Sequence, residues 1–283
     1  MKITLAIPTY NRLHYIEKMI SSLSESVNVN EINVRVYDDK STEFGPETLH
    51  HLFSFAQEII IRPYNLKADL NMRTMYVDFL NTGDDVFIHG DSDLIYRPGW
   101  LEFFLQHFDQ TDGVLSLYNS KKHPFLSHEH LQNNISLKKD LGAAGTAFKR
   151  EVVELIIKEM EDDALSNYDW KWSEFLTRKN IRLFCACNSY IQHIGIQGQN
   201  NNGCINDFDY GLNFIPESPA NQKIMSEFIE ELLIENQRFF DNHPEEVYKL
   251  IKKHAKTIID YRIGHTCLFI PREIKKIAKR IFR

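Results

Sequence analysis

Residues 85–96 read DVFIHGDSDLIY and join a strand-like run to an acidic turn. The run Asp85–His89 is short, apolar and bounded by polar residues, which is typical of a buried strand. Asp91, Ser92 and Asp93 follow soon after it. In open α/β sheets, ligands bind beyond the carboxyl ends of the strands. We therefore expect this acidic turn at the ligand-binding edge of a sheet.

Further apolar runs alternate with helical patterns on both sides of this stretch. The other strand-like runs are Ile3–Ile7, Ile32–Tyr37, Glu58–Ile61 and Gly113–Tyr118. Apolar residues at helical spacing lie between them, and Pro98 is expected at the first position of a fourth helix. This alternation predicts an α/β fold with a Rossmann-like, mainly parallel central sheet flanked by helices. Two further polar segments, Pro8–Arg12 and Asp38–Ser41, then follow strands at the same edge.

Composition and charge limit the classes of partner and the cellular location. The 283 residues include 39 acidic and 33 basic side chains, and the net charge of −6 argues against nucleic-acid binding. The apolar stretch Ile3–Ile7 is too short for a signal-peptide core, and no segment approaches the ~20 apolar residues of a membrane span. Four cysteines without zinc-site spacing indicate reduced thiols. We expect a cytoplasmic protein without a transmembrane anchor.

The C-terminal segment differs in charge from the rest of the chain. Residues 271–283 contain six Lys or Arg and one Glu, a local charge of +5. Their apolar residues recur at helical spacing, which predicts a basic amphipathic helix. Such a helix either docks on an anionic membrane surface or packs on its own domain. We expect residues 216–283 to form a helical extension that ends in this basic tail.

Two pairs of acidic residues indicate a metal-dependent site. Asp91 and Asp93 are two residues apart in one turn and can present oxygens to one hard divalent cation, although an Asx-turn with solvated charges has the same pattern. Asp38 and Asp39 form a second acidic loop, which would repel the first unless a cation or hydrogen-bond donors lie there. A nucleotide with its metal would satisfy both loops.

Four motifs in order resemble the family 2 inverting glycosyltransferases of the GT-A fold, of the type that builds bacterial surface polysaccharides. They are IPTYNR (Ile7–Arg12), YDDKST (Tyr37–Thr42), HGDSDLIY (His89–Tyr96) and GAAGTAFKRE (Gly142–Glu151). Their order and spacing cover about residues 1–200. The resemblance implies a glycosyltransferase domain over 1–215, with a nucleotide-sugar half at 1–95 and an acceptor half at 96–215.

The same resemblance implies roles for individual residues. It implies that Asp39 accepts from the base ring N–H and that Asp93 binds Mn²⁺ or Mg²⁺ directly. Asp91 is expected at the ribose or at a metal-bound water. His193 is expected to complete the metal shell, beside a glycine-containing loop (Gly195, Gly198, Gly203) able to close on the donor, although a plain surface histidine fits the pattern too. The implied nucleotide-binding residues are Pro8, Thr9, Arg12, Asp38, Asp39, Asn65, Lys67, Arg73, Asp91 and Ser92.

Inversion at the anomeric carbon needs a base on the face opposite the leaving diphosphate. Asp169 matches the position of the family's catalytic Asp, although Tyr168 stands where many members have Glu, and Glu174 is the alternative base. Asp169 also suits a helix N-cap. Nearby, Trp170 and Trp172 either stack on a sugar or close a core. Residues 119–140 predict a long surface excursion facing a second substrate, with His123, His128 and His130 as solvated loop histidines.

Together these features predict a metal-dependent inverting glycosyltransferase, a hexosyl- or N-acetylhexosaminyltransferase. It would move a sugar from a nucleotide diphosphate donor, usually UDP-linked, to a hydroxyl of a glycan or lipid-linked glycan. Lipopolysaccharide, O-antigen or capsule assembly would supply the acceptor, at the inner face of the cell membrane. A sugar-nucleotide pyrophosphorylase would open with a glycine-rich phosphate loop, which Pro8–Arg12 is not. The other alternative is a catalytically inactive, membrane-docked glycan-binding or scaffold protein.

Overall fold

A computed structural model describes residues 1–126, 134–160, 167–196, 208–242 and 245. The chain divides into two compact units, Met1–Leu232 and Leu233–Arg283. In the second unit the description covers residues 233–242, which continue the last helix, and residue 245. The predicted basic tail at 271–283, together with Gly198, Gly203, His128 and His130, lies outside the described residues. Among the described helices, none combines the length and apolar character that crossing a bilayer requires.

Ten strands and seven α-helices are the main elements of the described fold. The strands are β1 (Ile3–Thr9), β2 (Asn33–Asp38), β3 (Glu58–Ile61), β4 (Val86–His89), β5 (Leu94–Tyr96), β6 (Val114–Ser116), β7 (Ile135–Lys138), β8 (Thr146–Lys149), β9 (Leu183–Ala186) and β10 (Ile191–His193). The helices are α1 (Leu13–Ser26), α2 (Pro46–Leu52), α3 (Lys67–Leu80), α4 (Trp100–His107), α5 (Arg150–Glu159), α6 (Tyr168–Arg178) and α7 (Pro219–Asn242).

Eight of these strands form one central sheet in the order β3-β2-β1-β4-β8-β6-β9-β7. Strands β3, β2, β1 and β4 are parallel neighbours, and β6 is parallel to β9. Strand β8 runs antiparallel between β4 and β6, and β7 closes the edge antiparallel to β9. The antiparallel pair β5–β10 forms a small second sheet. The predicted α/β fold with a mainly parallel sheet is confirmed.

Helices cover both faces of the central sheet because its strands alternate their side chains between two apolar cores. Ile3, Leu5 and Ile7 of β1 pack with α1, α2 and α4, whereas Ala6 packs with α3, α5 and α6. The start of α7 joins a third core, in which Ile224 packs with residues of α1, β5 and the segment after β10. The predicted domain boundary at residue 215 stays a prediction.

The structure corrects two expectations about local structure. The fourth helix begins at Trp100 rather than Pro98, because Gly99 adopts a left-handed φ of 81° immediately before it. Residues 119–140 are not a purely surface excursion. They contain strand β7, and within them Lys138 and His123 are buried.

Candidate active site

Asn11 makes several of the hydrogen bonds that join the loop after β1 to the loop after β2. The side-chain oxygen of Asn11 accepts from the backbone N–H groups of Thr42 (2.7 Å) and Glu43 (3.1 Å). The backbone N–H of Asn11 donates to the Ser41 hydroxyl at 2.8 Å. Asn11 and Arg12 both have left-handed φ values, of 54° and 57°, so the chain turns sharply into α1. This turn directs the Arg12 side chain toward the acidic turn after β4.

Asp38 and Asp39 are buried, and the surrounding loops satisfy their carboxylates. Asp38 accepts from the hydroxyls of Thr9 (3.1 Å) and Ser41 (2.5 Å). Asp39 accepts from the backbone N–H of Leu66 at 2.6 Å, which holds the loop before α3 against the end of β2. Burial raises the pKa of Asp39, although that backbone N–H opposes the rise. The predicted contacts of both carboxylates with a nucleotide stay predictions.

Asp93 is the buried centre of the site. Its Oδ2 accepts from Arg12 Nη1 at 2.9 Å, and its Oδ1 lies 3.3 Å from His193 Nε2. Burial opposes ionisation, but His193 and Arg12 together hold the pKa of Asp93 well below its usual range. Asp93 in turn raises the pKa of His193 against the effect of burial. The structure thus brings three predicted residues from distant parts of the sequence into direct contact.

His193 is the last residue of strand β10. Strand β10 pairs with β5, and this register sets His193 opposite Leu94, beside the acidic turn. Gly195 provides the necessary space, since a Cβ there would lie 2.1 Å from Asp93 Oδ2. His193 is partly buried, with 23% of its side chain exposed, and its Nε2 faces Asp93; its predicted role as a metal ligand stays a prediction.

Several buried polar atoms near the acidic turn lack a hydrogen-bond partner among the described residues. They are the hydroxyls of Tyr76 and Tyr96, Nδ1 of His89 and Nδ1 of His193. The charge of Asp91 acts on both tyrosines, and His89 Nε2 lies 3.8 Å from Asp91 Oδ1, too far for a hydrogen bond. Buried polar groups are nearly always paired, so this edge is suited to a polar ligand or ordered water.

The remaining predicted nucleotide-binding residues have different environments. Pro8 and Thr9 end strand β1 beside Tyr37 and Asp38. Ser92 is buried within the acidic turn. Asn65 and Lys67 are exposed at the start of α3, where the Lys67 N–H donates to Asn65 Oδ1 at 2.9 Å, and Arg73 is half-buried further along that helix.

Asp169 lies in the first turn of α6, in a separate acidic environment. Its Oδ1 accepts from the backbone N–H of Trp170 at 2.9 Å, and Asn167 rather than Asp169 is the N-cap residue. Burial raises the pKa of Asp169, and the charge of Asp69 adds to the rise. A carboxyl with a raised pKa is a better proton acceptor than an ordinary surface aspartate. Asp69 also accepts from the backbone N–H of Tyr168 at 2.9 Å, a link that sequence reasoning missed.

The residues around Asp169 have clearly different exposures. Glu174, the alternative base, is exposed. Trp172 is completely buried against Phe148, whereas Trp170 is 46% exposed and its ring centroid lies 4.9 Å from that of His123. The prediction of a solvated His123 is wrong, because the ring is buried and its Nδ1 lies 2.5 Å from Asp140 Oδ1. No local sequence signal marks this pairing.

Asp93 and His193 fit a divalent cation. Their facing oxygen and nitrogen atoms are 3.3 Å apart, and carboxylate with imidazole is a donor set that suits Mn²⁺. Among the described residues, no group of three or more His, Cys, Asp or Glu is arranged to hold a metal ion. Water or a phosphate-bearing ligand would therefore supply the other donors.

Solved structures of two proteins resemble this chain in fold at low sequence identity. The TarS structure from S. aureus (residues 1–349, in complex with UDP) superposes with a TM-score of 0.50 at 14% identity, over 83% of this chain and 65% of that one. The mannosyltransferase PcManGT from Pyrobaculum calidifontis, in complex with GDP-Man and Mn²⁺, gives a TM-score of 0.49 at 14% identity, over 66% of this chain and 55% of that one. The chain thus spans about half to two thirds of these proteins.

No curated protein sequence matches the chain. The sequence profile described as Glycosyl transferase family 2 matches residues 4–145. The matched part includes β1, the acidic loop after β2, the acidic turn after β4 and Gly142–Gly145. The chain therefore belongs to glycosyl transferase family 2.

Proposed function

We propose that this protein is an inverting glycosyltransferase that moves a sugar from a nucleotide diphosphate donor, UDP-linked, to a hydroxyl of a glycan. The observation that carries the proposal is the buried Asp93 carboxylate between Arg12 Nη1 and His193 Nε2, at the carboxyl ends of parallel strands. Membership of glycosyl transferase family 2 supports the reaction class. UDP, the nucleotide in the TarS complex, is the first candidate to test.

The donor is proposed to bind across the loops after β1, β2 and β4. Arg12 presents a guanidinium at this edge, which suits the negative charge of a diphosphate. Asp93 and His193 would hold Mn²⁺ or Mg²⁺, which when bound would supply further positive charge to the leaving diphosphate.

Asp169 is the proposed base. Its carboxylate takes the proton of the acceptor hydroxyl while the hydroxyl oxygen forms a bond to the anomeric carbon. The bond from that carbon to the diphosphate breaks with its electron pair, and attack from the opposite face inverts the configuration. The raised pKa of Asp169 suits this role, because burial weakens the carboxyl as an acid.

The acceptor and the location are proposed from the sequence. A surface glycan or lipid-linked glycan fits the family resemblance, with lipopolysaccharide, O-antigen and capsule as candidates. We propose a cytoplasmic enzyme that reaches the inner face of the membrane through residues 271–283. Truncation at Pro271 should then reduce sedimentation with anionic vesicles and leave donor hydrolysis unchanged. Unchanged sedimentation would refute membrane docking.

Thermal unfolding with UDP, UDP-glucose, UDP-N-acetylglucosamine and GDP-mannose, each with and without Mn²⁺, tests the donor site. A ligand at 100 times its Kd stabilises the native state by about 2.7 kcal/mol. We expect the largest Mn²⁺-dependent stabilisation with a UDP compound. Asp93→Ala should lose the Mn²⁺-dependent part of this stabilisation, whereas Asp169→Asn should keep it and release UDP at a strongly reduced but measurable rate.

Asp112→Asn is a matched control, because Asp112 binds Arg182 at the amino end of β6, away from the site. Asp112→Asn should match wild type both in its stabilisation by nucleotides during thermal unfolding and in its rate of UDP release from the donor. Stabilisation by a nucleotide without metal dependence and without turnover would favour the inactive scaffold. No stabilisation by any nucleotide would refute the donor site.

A further inference from the structure

A buried histidine–aspartate pair lies beside the proposed base and has no part in the mechanism above. His123 is 7% exposed, and its Nδ1 lies 2.5 Å from Asp140 Oδ1. Lys138, which is also buried, donates its Nζ hydrogens to the carbonyl oxygens of His123 (2.7 Å) and Ser120 (3.3 Å). The imidazole and its backbone are therefore fixed independently.

The free edge of this imidazole faces the same space as Asp169. A Cβ placed on Gly142 would lie 3.1 Å from His123 Nε2 and 3.7 Å from Asp169 Oδ2. The absence of a side chain at Gly142 thus leaves open the volume that both atoms border. Trp170 covers the pair from the outside, with its ring centroid 4.9 Å from that of His123.

The bonding of His123 determines what Nε2 can do. A neutral imidazole that donates from Nδ1 to Asp140 carries its lone pair on Nε2, which makes Nε2 a proton acceptor. Protonation at Nε2 produces an imidazolium, and Asp140 stabilises that charge. Asp169 Oδ1 is already occupied by the Trp170 N–H, so Oδ2 is the oxygen left to exchange a proton.

The charged and titratable groups that act on Asp169 come from three surrounding elements. Helix α3 contributes Asp69 and Tyr76, strand β4 contributes His89, and the segment before β7 contributes His123. Among these groups, His123 lies at hydrogen-bond distance from a further carboxylate, that of Asp140. Its imidazole is therefore held in one orientation beside Asp169.

Resting on the proposed function, we propose that His123 is a positioning residue for Asp169 that accepts the proton Asp169 removes from the acceptor hydroxyl. In the first step the acceptor O–H bond breaks and its proton passes to Asp169 Oδ2. In the second step that proton passes to His123 Nε2 through a water molecule in the space beside Gly142, because no direct hydrogen bond joins these two side chains in the described structure. This leaves an ionised Asp169 and an imidazolium paired with Asp140. After the products leave, the Nε2 proton passes to water that enters the same space, which restores the neutral ring with its proton on Nδ1.

Kinetics of donor hydrolysis, in which water replaces the acceptor, test this role. The substrate is whichever of UDP-glucose and UDP-N-acetylglucosamine stabilises the protein more. We expect His123→Gln to lower kcat for UDP release about 10-fold with the donor KM within about twofold of wild type. Asp140→Asn should lower kcat about threefold. His107→Gln is the matched control, because His107 is a buried histidine of α4 with a backbone partner, and it should leave kcat unchanged.

A double variant distinguishes this role from simple loss of packing. Because His123 acts through Asp169, adding His123→Gln to Asp169→Asn should produce no further fall in kcat. A multiplicative fall in the double variant would overturn the proposal. So would wild-type kcat in His123→Gln, or a KM that rises as much as kcat falls.

Nitrogen-15 NMR of the imidazoles tests the geometry without any ligand. The His123 signals, assigned from their loss in His123→Gln, should show a proton on Nδ1, and Asp169→Asn should shift the Nε2 signal. A neutral ring protonated on Nε2, or no response to Asp169→Asn, would overturn the proposal. If wild type releases no UDP while the NMR results hold, the proposed function has failed and the His123 geometry has not.

Discussion

The substitution Gly195→Ala should displace the buried Asp93 carboxylate through a steric clash alone. The added Cβ would lie 2.1 Å from Asp93 Oδ2 and 3.2 Å from His193 Cε1. Non-bonded carbon and oxygen atoms do not approach that closely, so the Asp93 carboxylate must move by about 1 Å. A displacement of that size breaks its 2.9 Å hydrogen bond to Arg12 Nη1 and changes its 3.3 Å contact with His193 Nε2.

The cost of Gly195→Ala follows from overpacking at a buried site. One added methyl group in a well-packed interior costs about 1–3 kcal/mol. For a protein of this size the melting temperature should fall by roughly 2–12 °C. Thermal unfolding with and without UDP and Mn²⁺ measures both the loss of stability and the loss of donor-dependent stabilisation.

Gly83→Ala is the matched control for this experiment. Among the described residues, nothing lies within 4 Å of a Cβ added to Gly83, so its melting temperature and its response to UDP should match wild type. If Gly195→Ala also kept the wild-type melting temperature and Mn²⁺-dependent response, the tight contact between Gly195 and Asp93 would be refuted. The assignment of Asp93 to the donor site would then lose its structural basis.

Three further predictions separate packing from chemistry. Trp172→Ala should lower the free energy of unfolding in urea by about 3–5 kcal/mol because the ring is fully buried. Trp170→Ala should change that free energy by no more than about 0.5 kcal/mol because Trp170 is partly exposed. Equal losses in the two variants would contradict the difference in burial. Arg150 donates to four backbone carbonyls between residues 79 and 84. Arg150→Ala should therefore lower the free energy of unfolding by about 2–4 kcal/mol and leave the donor KM unchanged. A changed KM with unchanged stability would argue against this structural role. Asp69→Asn removes a negative charge that raises the pKa of Asp169. The acid limb of the plot of kcat against pH should therefore move to lower pH. A move to higher pH would exclude Asp169 as the titrating base.

Five strands of the central sheet could be predicted from sequence because each coincides with a short run rich in apolar residues, whereas β8 and β9 were not predicted. Strands β1 to β4 and β6 all lie within or beside the predicted runs. Strand β7 was missed because its four residues mix apolar and polar side chains and pair only with β9, which is distant in sequence. The short pair β5 and β10 likewise depends on tertiary pairing that no local pattern reports.

The candidate site could be predicted where its polar residues cluster within one short motif, as in the acidic turn and in the loops after β1 and β2. The contacts that join Asp93 to Arg12 and His193 connect distant parts of the chain, and no single motif reports them. His123 was misinterpreted because its partner Asp140 is 17 residues away, beyond a segment with no recognisable periodicity. The steric role of Gly195 was missed for a similar reason, since Asp93 lies in a different strand–turn unit.

Repulsion between the two acidic loops does not by itself require a cation at this edge. The carboxylate of Asp38 accepts from two hydroxyls, and that of Asp39 accepts from the Leu66 N–H, so donors of the chain stabilise the loop after β2. Asp93 has Arg12 on one oxygen. The Asp91 carboxylate has no hydrogen bond in the part of the chain that the structure describes, and His89 Nε2 lies 3.8 Å from its Oδ1. The electrostatic case for a bound cation therefore rests on Asp91 and on the Asp93–His193 pair. Asp91→Asn should accordingly weaken Mn²⁺-dependent stabilisation by UDP, whereas Asp38→Asn should lower stability equally with and without Mn²⁺.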